Sequence, residues 1–245
     1  MTRYTYDLHI HSCLSPCADD DMTPANIAGM ASLAGLQLLA LTDHNSCGNC
    51  APFMKACRRY GIVPVPGMEL TTAEEIHLVC LFPELEPALA FDQEVKTHLL
   101  PVKNRKAVFG NQILVNEEDE PIGEEELLLI SATDLPLEQA YALARSYGGA
   151  AYPAHIDRDA NGIVAILGTV PQEPAFPAVE LRDRANREAY TERHGLAGKR
   201  LICSSDSHNL WTIGDSGDAI ELDDDPYSSA KVRNALIGIL RGDAL

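Results

Sequence analysis

Short apolar runs rich in Val, Ile, Leu and Ala recur along the chain, separated by longer segments whose apolar positions return at helical spacing. That alternation is the signature of repeated βα units around a parallel sheet. The runs predict strands over Tyr4–Ile10, Gln37–Leu41, Ile62–Pro66, Ile76–Phe82, Gly149–Ala154, Ala178–Leu181, Arg200–Cys203 and Ala219–Leu222. Thr23-Pro24 reads as an N-cap followed by proline at the first helical position, and opens a helix over Ala25–Ala34 that Gly35 closes. Further helices are expected at Ala51–Tyr60, Pro87–Leu99, Leu137–Tyr147, Arg187–His194 and Ser228–Leu240. The stretch between the strand carrying His77 and the one ending near His155 is too long for a single crossover. Its middle, Gln112–Ile122 followed by Gly123–Glu126, reads as a small β excursion. Residues 83–135 are therefore expected to form an insertion on one α/β domain spanning residues 1–245.

The polar groups fall where that architecture can use them. His9 and His11 end the first strand, Asp43 and His44 follow the second, Glu69 follows the third, His155 follows Tyr152-Pro153-Ala154, and Asp206 and His208 follow Leu201-Ile202-Cys203. His77 is the exception, lying inside its strand. In parallel α/β barrels the carboxyl ends of the strands open on one face, where catalytic groups converge. Residues far apart in the chain can thus share one pocket.

Composition narrows the function. A net charge of −17 argues against general affinity for nucleic-acid backbones, which rests on Lys and Arg neutralising phosphates. It leaves room for a phosphorylated substrate held through metal ions. The acidic runs Asp19-Asp20-Asp21, Glu117 to Glu126 and Asp223-Asp224-Asp225 read as solvated loops. No apolar run is long enough to cross a bilayer and the opening MTRYTYDLHIHS lacks the regions of a signal peptide, so the cytoplasm is the default expectation. Seven cysteines in a chain of this length are expected to be reduced, and Cys47-Gly-Asn-Cys50 reads as a structural loop, with a metal or thiol switch as the alternative.

His9 and His11 sit two apart on a strand, so both side chains point to one side and can ligate the same metal. Six of the eight histidines lie in the strand-end motifs; the other two, His98 and His194, read as surface helix residues. Imidazole with carboxylate suits zinc, manganese or iron(II), and the number of candidate ligands exceeds what one tetrahedral zinc takes. A cluster of two or three divalent ions follows, with Glu69 and Asp206 able to bridge them. Two such ions about 3.5–4 Å apart can supply a hydroxide and orient a phosphoryl group for in-line attack. Arg158, three residues after His155, is a candidate phosphate-binding guanidinium; its alternative is a salt bridge to Asp157 or Asp159. Lys103, Asn104 and Arg105 could form a pocket wall, against a favoured reading as solvated surface.

The chain resembles the PHP (polymerase and histidinol phosphatase) family through Asp7-Leu-His9-Ile-His11-Ser12, Leu41-Thr-Asp43-His44-Asn45, Pro66-Gly-Met-Glu69-Leu, His77, Pro153-Ala-His155 and Ser205-Asp206-Ser-His208. The resemblance implies a distorted (β/α)7 TIM-like barrel with a trinuclear centre. Carried onto these positions, His9, His11, Glu69 and Asp206 would hold one metal, Glu69, His77 and His155 a second, and His44 and His208 a third. The remaining ligand of the third site aligns with Cys17, which departs from the family's usual His or acid; its alternative is a buried small residue. Asp43 is read as a group that orients a ligand or catalytic histidine, with a direct catalytic role for Asp43, and for His208, as the other reading.

The expected function is therefore hydrolysis of a phosphate monoester on a small metabolite or nucleotide. The segment from Thr23 to Pro-Gly-Met-Glu69 looks closest to the branch with nucleoside 3′,5′-bisphosphate phosphatases and 5′ to 3′ exonucleases on short RNA. Phosphodiester or exonuclease cleavage is the first alternative, and a non-catalytic metal-binding module the second.

Overall fold

A computed structural model describes residues 1–243. Its strands are β1 (Thr2–Asp7), β2 (Leu38–Leu41), β3 (Val63–Thr71), β4 (His77–Leu81), β5 (Ile113–Val115), β6 (Pro121–Glu124), β7 (Ala150–Pro153), β8 (Ala178–Leu181), β9 (Arg200–Cys203) and β10 (Asp218–Leu222). Its helices are α1 (Pro24–Leu33), α2 (Cys50–Arg59), α3 (Leu85–Thr97), α4 (Lys106–Phe109), α5 (Leu137–Ser146), α6 (Ile163–Leu167), α7 (Arg187–His194) and α8 (Ser229–Arg241), with 3-10 turns at Arg184–Asn186 and Leu210–Thr212. The expected helices all appear within a few residues of their anticipated ends. The short α4 and α6 carry too few apolar repeats to be read from the sequence.

Six strands form one sheet in the order β10-β1-β2-β3-β4-β7, and β8 pairs in parallel with β9. The sheet curls, and bonds just past the strand ends tie its borders to the β8–β9 pair. Ile156 N donates to Glu180 O at 2.8 Å, His11 N to Ser207 O at 2.9 Å, and Ser205 N to an Asp7 carboxylate oxygen at 3.0 Å. The fold is α/β, but the sheet is not the uniformly parallel one that the periodicity suggests. β4 runs antiparallel to both β3 and β7, and β10 antiparallel to β1. β3 is also longer than expected. Its first part pairs with β2 and its second part with β4, so Glu69 lies within the strand rather than after it.

Strand alternation sorts apolar side chains into two cores. On one face Tyr4, Tyr6, Leu8, Leu38, Ala40, Val63, Val65, Val79, Leu81 and Tyr152 pack against Val232, Leu236 and Leu240 of α8. On the other, Leu39, Leu41, Met68, Leu70, Leu78 and Cys80 meet residues of α1, α2, α3 and α5. Helix ends follow their sequence signals. Thr23 Oγ1 accepts from Asn26 N before α1, Ser228 Oγ accepts from Lys231 N before α8, and Gly242 at φ +71° ends α8. Buried Arg233 of α8 bonds Glu84 at 2.8 Å and the Pro83 carbonyl, fixing that helix to the start of α3.

Between α3 and α5, β5 and β6 form an antiparallel hairpin. Buried Gln112 organises the return path: its amide donates to the Glu125 and Leu127 carbonyls at 2.8 and 2.7 Å and accepts from Leu129 N at 2.9 Å. Thr133 N then donates to Thr71 O at 3.0 Å, bringing the segment back to the end of β3. Among the described residues, no helix is long and apolar enough to cross a membrane.

Candidate metal centre

The strand directions place the motif residues at one end of the sheet. β1, β2, β3 and β7 bring His9, His11, His44, Glu69 and His155 there, and β9 brings Asp206 and His208. The reversal of β4 explains the anomaly of His77. A strand running the other way presents its amino end on this face, and His77, its first residue, pairs with Thr71. Backbone strain accompanies the convergence: Asn45, His155 and Asp206 have φ of +46°, +27° and +50°, in the left-handed region that non-glycine residues rarely adopt.

Glu69, 1% exposed, is the hub. Its Oε1 lies 2.8 Å from His77 Nδ1, 3.1 Å from His155 Nε2 and 3.2 Å from His9 Nε2; its Oε2 lies 3.0 Å from His44 Nδ1 and 3.3 Å from His11 Nε2. Asp206 Oδ1 reaches His11 Nε2 at 3.3 Å and His9 Nε2 at 3.4 Å. Three overlapping sets of donor atoms result: His9, His11, Glu69 and Asp206; His44, Glu69 and His77; and His11, His44 and His208. Several donors are left over. His44 Nδ1, Glu69 Oε2 and His155 Nδ1 are buried without a hydrogen-bond partner, an arrangement that is costly unless something else satisfies them. These clusters are able to bind metal, and their donor types and orphaned atoms fit divalent ions.

Electrostatics within the cluster are strongly coupled. Burial opposes charge on Glu69 and Asp206, but His77, His9 and His44 around the first, and His9 and His11 around the second, outweigh it and hold both carboxyls well below the usual range. Burial likewise disfavours imidazolium, yet Glu180, Glu69 and Asp206 keep His9 well above its ordinary value, and the carboxylates lift His11 to about 9. His44 also rises to about 9, against burial and the charge of His11, through Glu69 and the adjacent Cys17. Burial prevails at His77 and His208, which fall to about 4 and about 3.

A cleft of about 280 Å³ opens over the cluster, lined by Cys17, His44, Glu69, His77, Ile130, Arg158, Asn161, Asp206 and His208. Cys17 is exposed there, lining the cleft with His44, which removes its alternative reading as a buried small residue. Arg158 Nη1 pairs with Asp206 Oδ2 at 2.5 Å, not with Asp157 or Asp159. Asp157 instead accepts from Arg182 N, Asp183 N and the Asn186 amide.

Asp43 stands outside the cleft. Its oxygens are occupied by Ser12 N at 2.7 Å, Ser12 Oγ at 2.6 Å and Ser15 Oγ at 2.7 Å, and Ser15 Oγ is 2.9 Å from His11 Nδ1. It reaches His11 only through Ser15 and belongs to none of the donor sets. Lys103 and Arg105 are exposed surface, and Asn104 bonds the Gly110 carbonyl, so none of the three lines the cleft. Cys47 and Cys50 are buried free thiols that share the Gly67 carbonyl as acceptor. His98, just past α3, pairs with Asp134, and His194 ends α7.

Sequence reasoning missed Glu180. It is buried in β8, 2.8 Å from His9 Nδ1, and accepts from His155 N at 3.1 Å. The signal is a lone acid inside the otherwise apolar strand Ala178-Val-Glu-Leu181.

Comparison with known proteins agrees with this geometry. Two curated relatives match short segments: a 3′,5′-nucleoside bisphosphate phosphatase of Chromobacterium violaceum, 38% identical over 88 residues, and an error-prone DNA polymerase of Symbiobacterium thermophilum, 36% identical over 74. The matches cover 34% and 30% of this chain, and only 30% and 7% of those relatives' lengths. Among solved structures, a lesion-specific endonuclease from Pyrococcus furiosus superposes with a TM-score of 0.64 at 17% identity, over 99% of this chain and 57% of that one. An amidohydrolase from Chromobacterium violaceum, crystallised with sulfate and no metal, gives 0.58 at 21% identity over 89% and 92%. At such identities the likeness shows a shared fold. The domain-level match is broader: residues 7–205, which hold every residue of the donor sets except Asp206 and His208 just beyond, align with the PHP domain, and the chain belongs to that family.

Proposed function

We propose that this chain is a metal-dependent phosphoesterase that hydrolyses a phosphate monoester of a small metabolite or nucleotide. The observation that carries this reading is the donor set: five imidazole nitrogens lie within 3.3 Å of one buried carboxylate, Glu69, and buried donors around it have no partner of their own. In this reading the curled sheet with β8 and β9 is a distorted (β/α)7 barrel, and residues 83–135 are an insertion that supplies Ile130 to one wall of the cleft. His9, His11, Glu69 and Asp206 would hold one divalent ion, Glu69, His77 and His155 a second, and His44, His208 and Cys17 a third. Zinc, manganese and iron suit such mixed donors.

The ions, when bound, supply activation of water and neutralisation of charge on phosphorus-bound oxygens. The chain's own residues do the rest. Arg158, at the cleft mouth and half exposed, is placed to take a phosphate oxygen pair while remaining near Asp206. His208, neutral at physiological pH and with Nδ1 2.9 Å from the Asp206 carbonyl oxygen, has one nitrogen left, which would either hold the third ion or, in a two-ion centre, accept a hydrogen bond from the substrate. The Asp43–Ser15–His11 chain keeps His11 Nε2 turned to the cluster. The phosphatase relative supports a monoester, and the acidic composition, 36 Asp and Glu against 19 Lys and Arg, favours a small substrate over a long strand.

The test is a phosphoester panel of mononucleotides, 3′,5′-bisphosphates, bis(p-nitrophenyl) phosphate and short RNA, run with zinc, manganese and iron alongside elemental analysis. Monoester turnover that depends on bound metal is expected. Preference for the diester or RNA would replace the monoester reading with phosphodiester or exonuclease cleavage. Bound metal without turnover of any ester would leave a non-catalytic metal-binding module.

A further inference from the structure

Glu180 is enclosed at 1% exposure and belongs to none of the three donor sets, yet it touches two of the converging strand ends. Its Oε1 is the acceptor for both His9 Nδ1, at 2.8 Å, and the His155 backbone N–H, at 3.1 Å. Its own carbonyl accepts from Ile156 N at 2.8 Å. The His155 peptide is the most unusual part of this contact, because φ of +27° is unfavourable for a side-chain-bearing residue and persists only where surrounding bonds enforce it. The bond to Glu180 sets the orientation of the His9 ring. With Nδ1–H given to Glu180, Nε2 faces His11 Nε2 at 3.2 Å, Glu69 at 3.2 Å and Asp206 at 3.4 Å. A neutral amide could make the same hydrogen bonds at lower desolvation cost, so a buried carboxylate here points to a use for its charge.

We propose that Glu180 is a positioning residue: it fixes the His9 ring with Nε2 directed into the donor cluster, raises the basicity of that nitrogen, and holds the strained His155 peptide so that both histidines are in place before an ion arrives. A carboxylate behind a ligating imidazole does this in general, and its loss costs about 10- to 100-fold in metal affinity. The inference rests on the metal-binding reading above.

The experiment compares the full chain with Glu180→Gln, which keeps size and an acceptor oxygen but removes the charge. Zinc and manganese affinities are read by competition with a chromophoric chelator, the melting of the metal-free chain by circular dichroism, and turnover as a function of added metal. Glu180→Gln is expected to bind its tightest ion about 10- to 100-fold more weakly. Its metal-free melting should fall by a few degrees, because His9 loses a buried charged partner, and excess metal should restore kcat with KM unchanged. Wild-type affinity in Glu180→Gln, or a turnover defect that excess metal does not rescue, would overturn the proposal. If the variant does not fold, nitrogen-15 NMR of the zinc-loaded wild type decides: a proton on His9 Nδ1 with Nε2 as the bound nitrogen supports it, and the reverse refutes it. Absence of bound metal in the wild type would instead sink the metal reading itself, so the two failures are distinguishable.

Discussion

Glu69→Gln is the substitution that most directly tests the centre. The change is isosteric, so packing in β3 is retained and only charge is lost. Five imidazole nitrogens lie 2.8–3.3 Å from the carboxylate, and the residue is 1% exposed, so solvent screens little of the interaction. Removing one partner of a buried ion pair costs about 3–5 kcal/mol. In the metal-free chain the histidines can shed protons instead of remaining as unpaired cations, which holds the cost near the lower end, about 3 kcal/mol. For a chain of this size that lowers the melting temperature by roughly 6–12 °C. Metal binding has no such escape, because Glu69 belongs to two of the three donor sets and is the sole carboxylate of the one it forms with His44 and His77. A loss of about 3–5 kcal/mol there is on the order of 10²- to 4 × 10³-fold in affinity, with turnover falling in proportion at limiting metal. The assay is metal stoichiometry by elemental analysis after dialysis against buffered zinc or manganese, with turnover measured in parallel. Trp211, the only tryptophan, is 83% exposed three residues past His208 and offers a fluorescence signal for the titration. Wild-type metal content and turnover in Glu69→Gln would refute the shared-carboxylate reading.

Arg158→Ala should raise KM for a phosphomonoester about tenfold, roughly 1.4 kcal/mol for a half-exposed guanidinium, with kcat little changed; an unchanged KM would remove Arg158 from substrate binding. Metal-free protein should be most stable near pH 6–7 in chemical denaturation. His11 and His44, lifted to about 9, contribute stability that is present below the unfolded value of about 6.5 and is lost as pH rises through 9. His77 and His208, lowered to about 4 and about 3, destabilise progressively as pH falls below 6.5, because the unfolded chain then binds protons that the folded one refuses. Metal-loaded protein should lose the alkaline slope, and an apoprotein with a flat profile across pH 5–9 would contradict the couplings described. Gly110→Ala should destabilise by about 2 kcal/mol or more, since φ is +100° and an added Cβ would meet the Pro16 carbonyl oxygen at 2.1 Å. At about 2–4 °C per kcal/mol the melting temperature should fall by roughly 4–8 °C; a value equal to that of wild type would show that the loop before Cys17 yields freely.

Much of the site was legible because metal-type residues and strand ends coincide in the sequence. His9, His11, His44, His155, Asp206 and His208 needed only the general property of parallel strands to be placed together. Strand direction was not legible: a period of two is the same read either way, so β4 looked like another parallel strand and His77 like an exception. Glu69 falls after a strand that ends at Pro66 in the apolar pattern, whereas β3 continues to Thr71 and changes partner there. Glu180 was hidden by its own setting, a single acid in a run scored as apolar. The partner of Arg158 lay on a different strand end, and local sequence offered only the wrong acids beside it.

The backward course of β4 also shapes what the protein can become. Because its carboxyl end leaves on the far side, α3 must return the chain to the rim, and residues 98–135 are delivered there before α5 descends. An up-down unit would have visited that rim once; this one visits it twice, and the second visit carries none of the histidines in the donor sets. The exposed strand Pro121–Glu124 of that excursion can therefore vary while the donor residues stay fixed, which makes its tip the natural place to graft new selectivity onto an unchanged cluster.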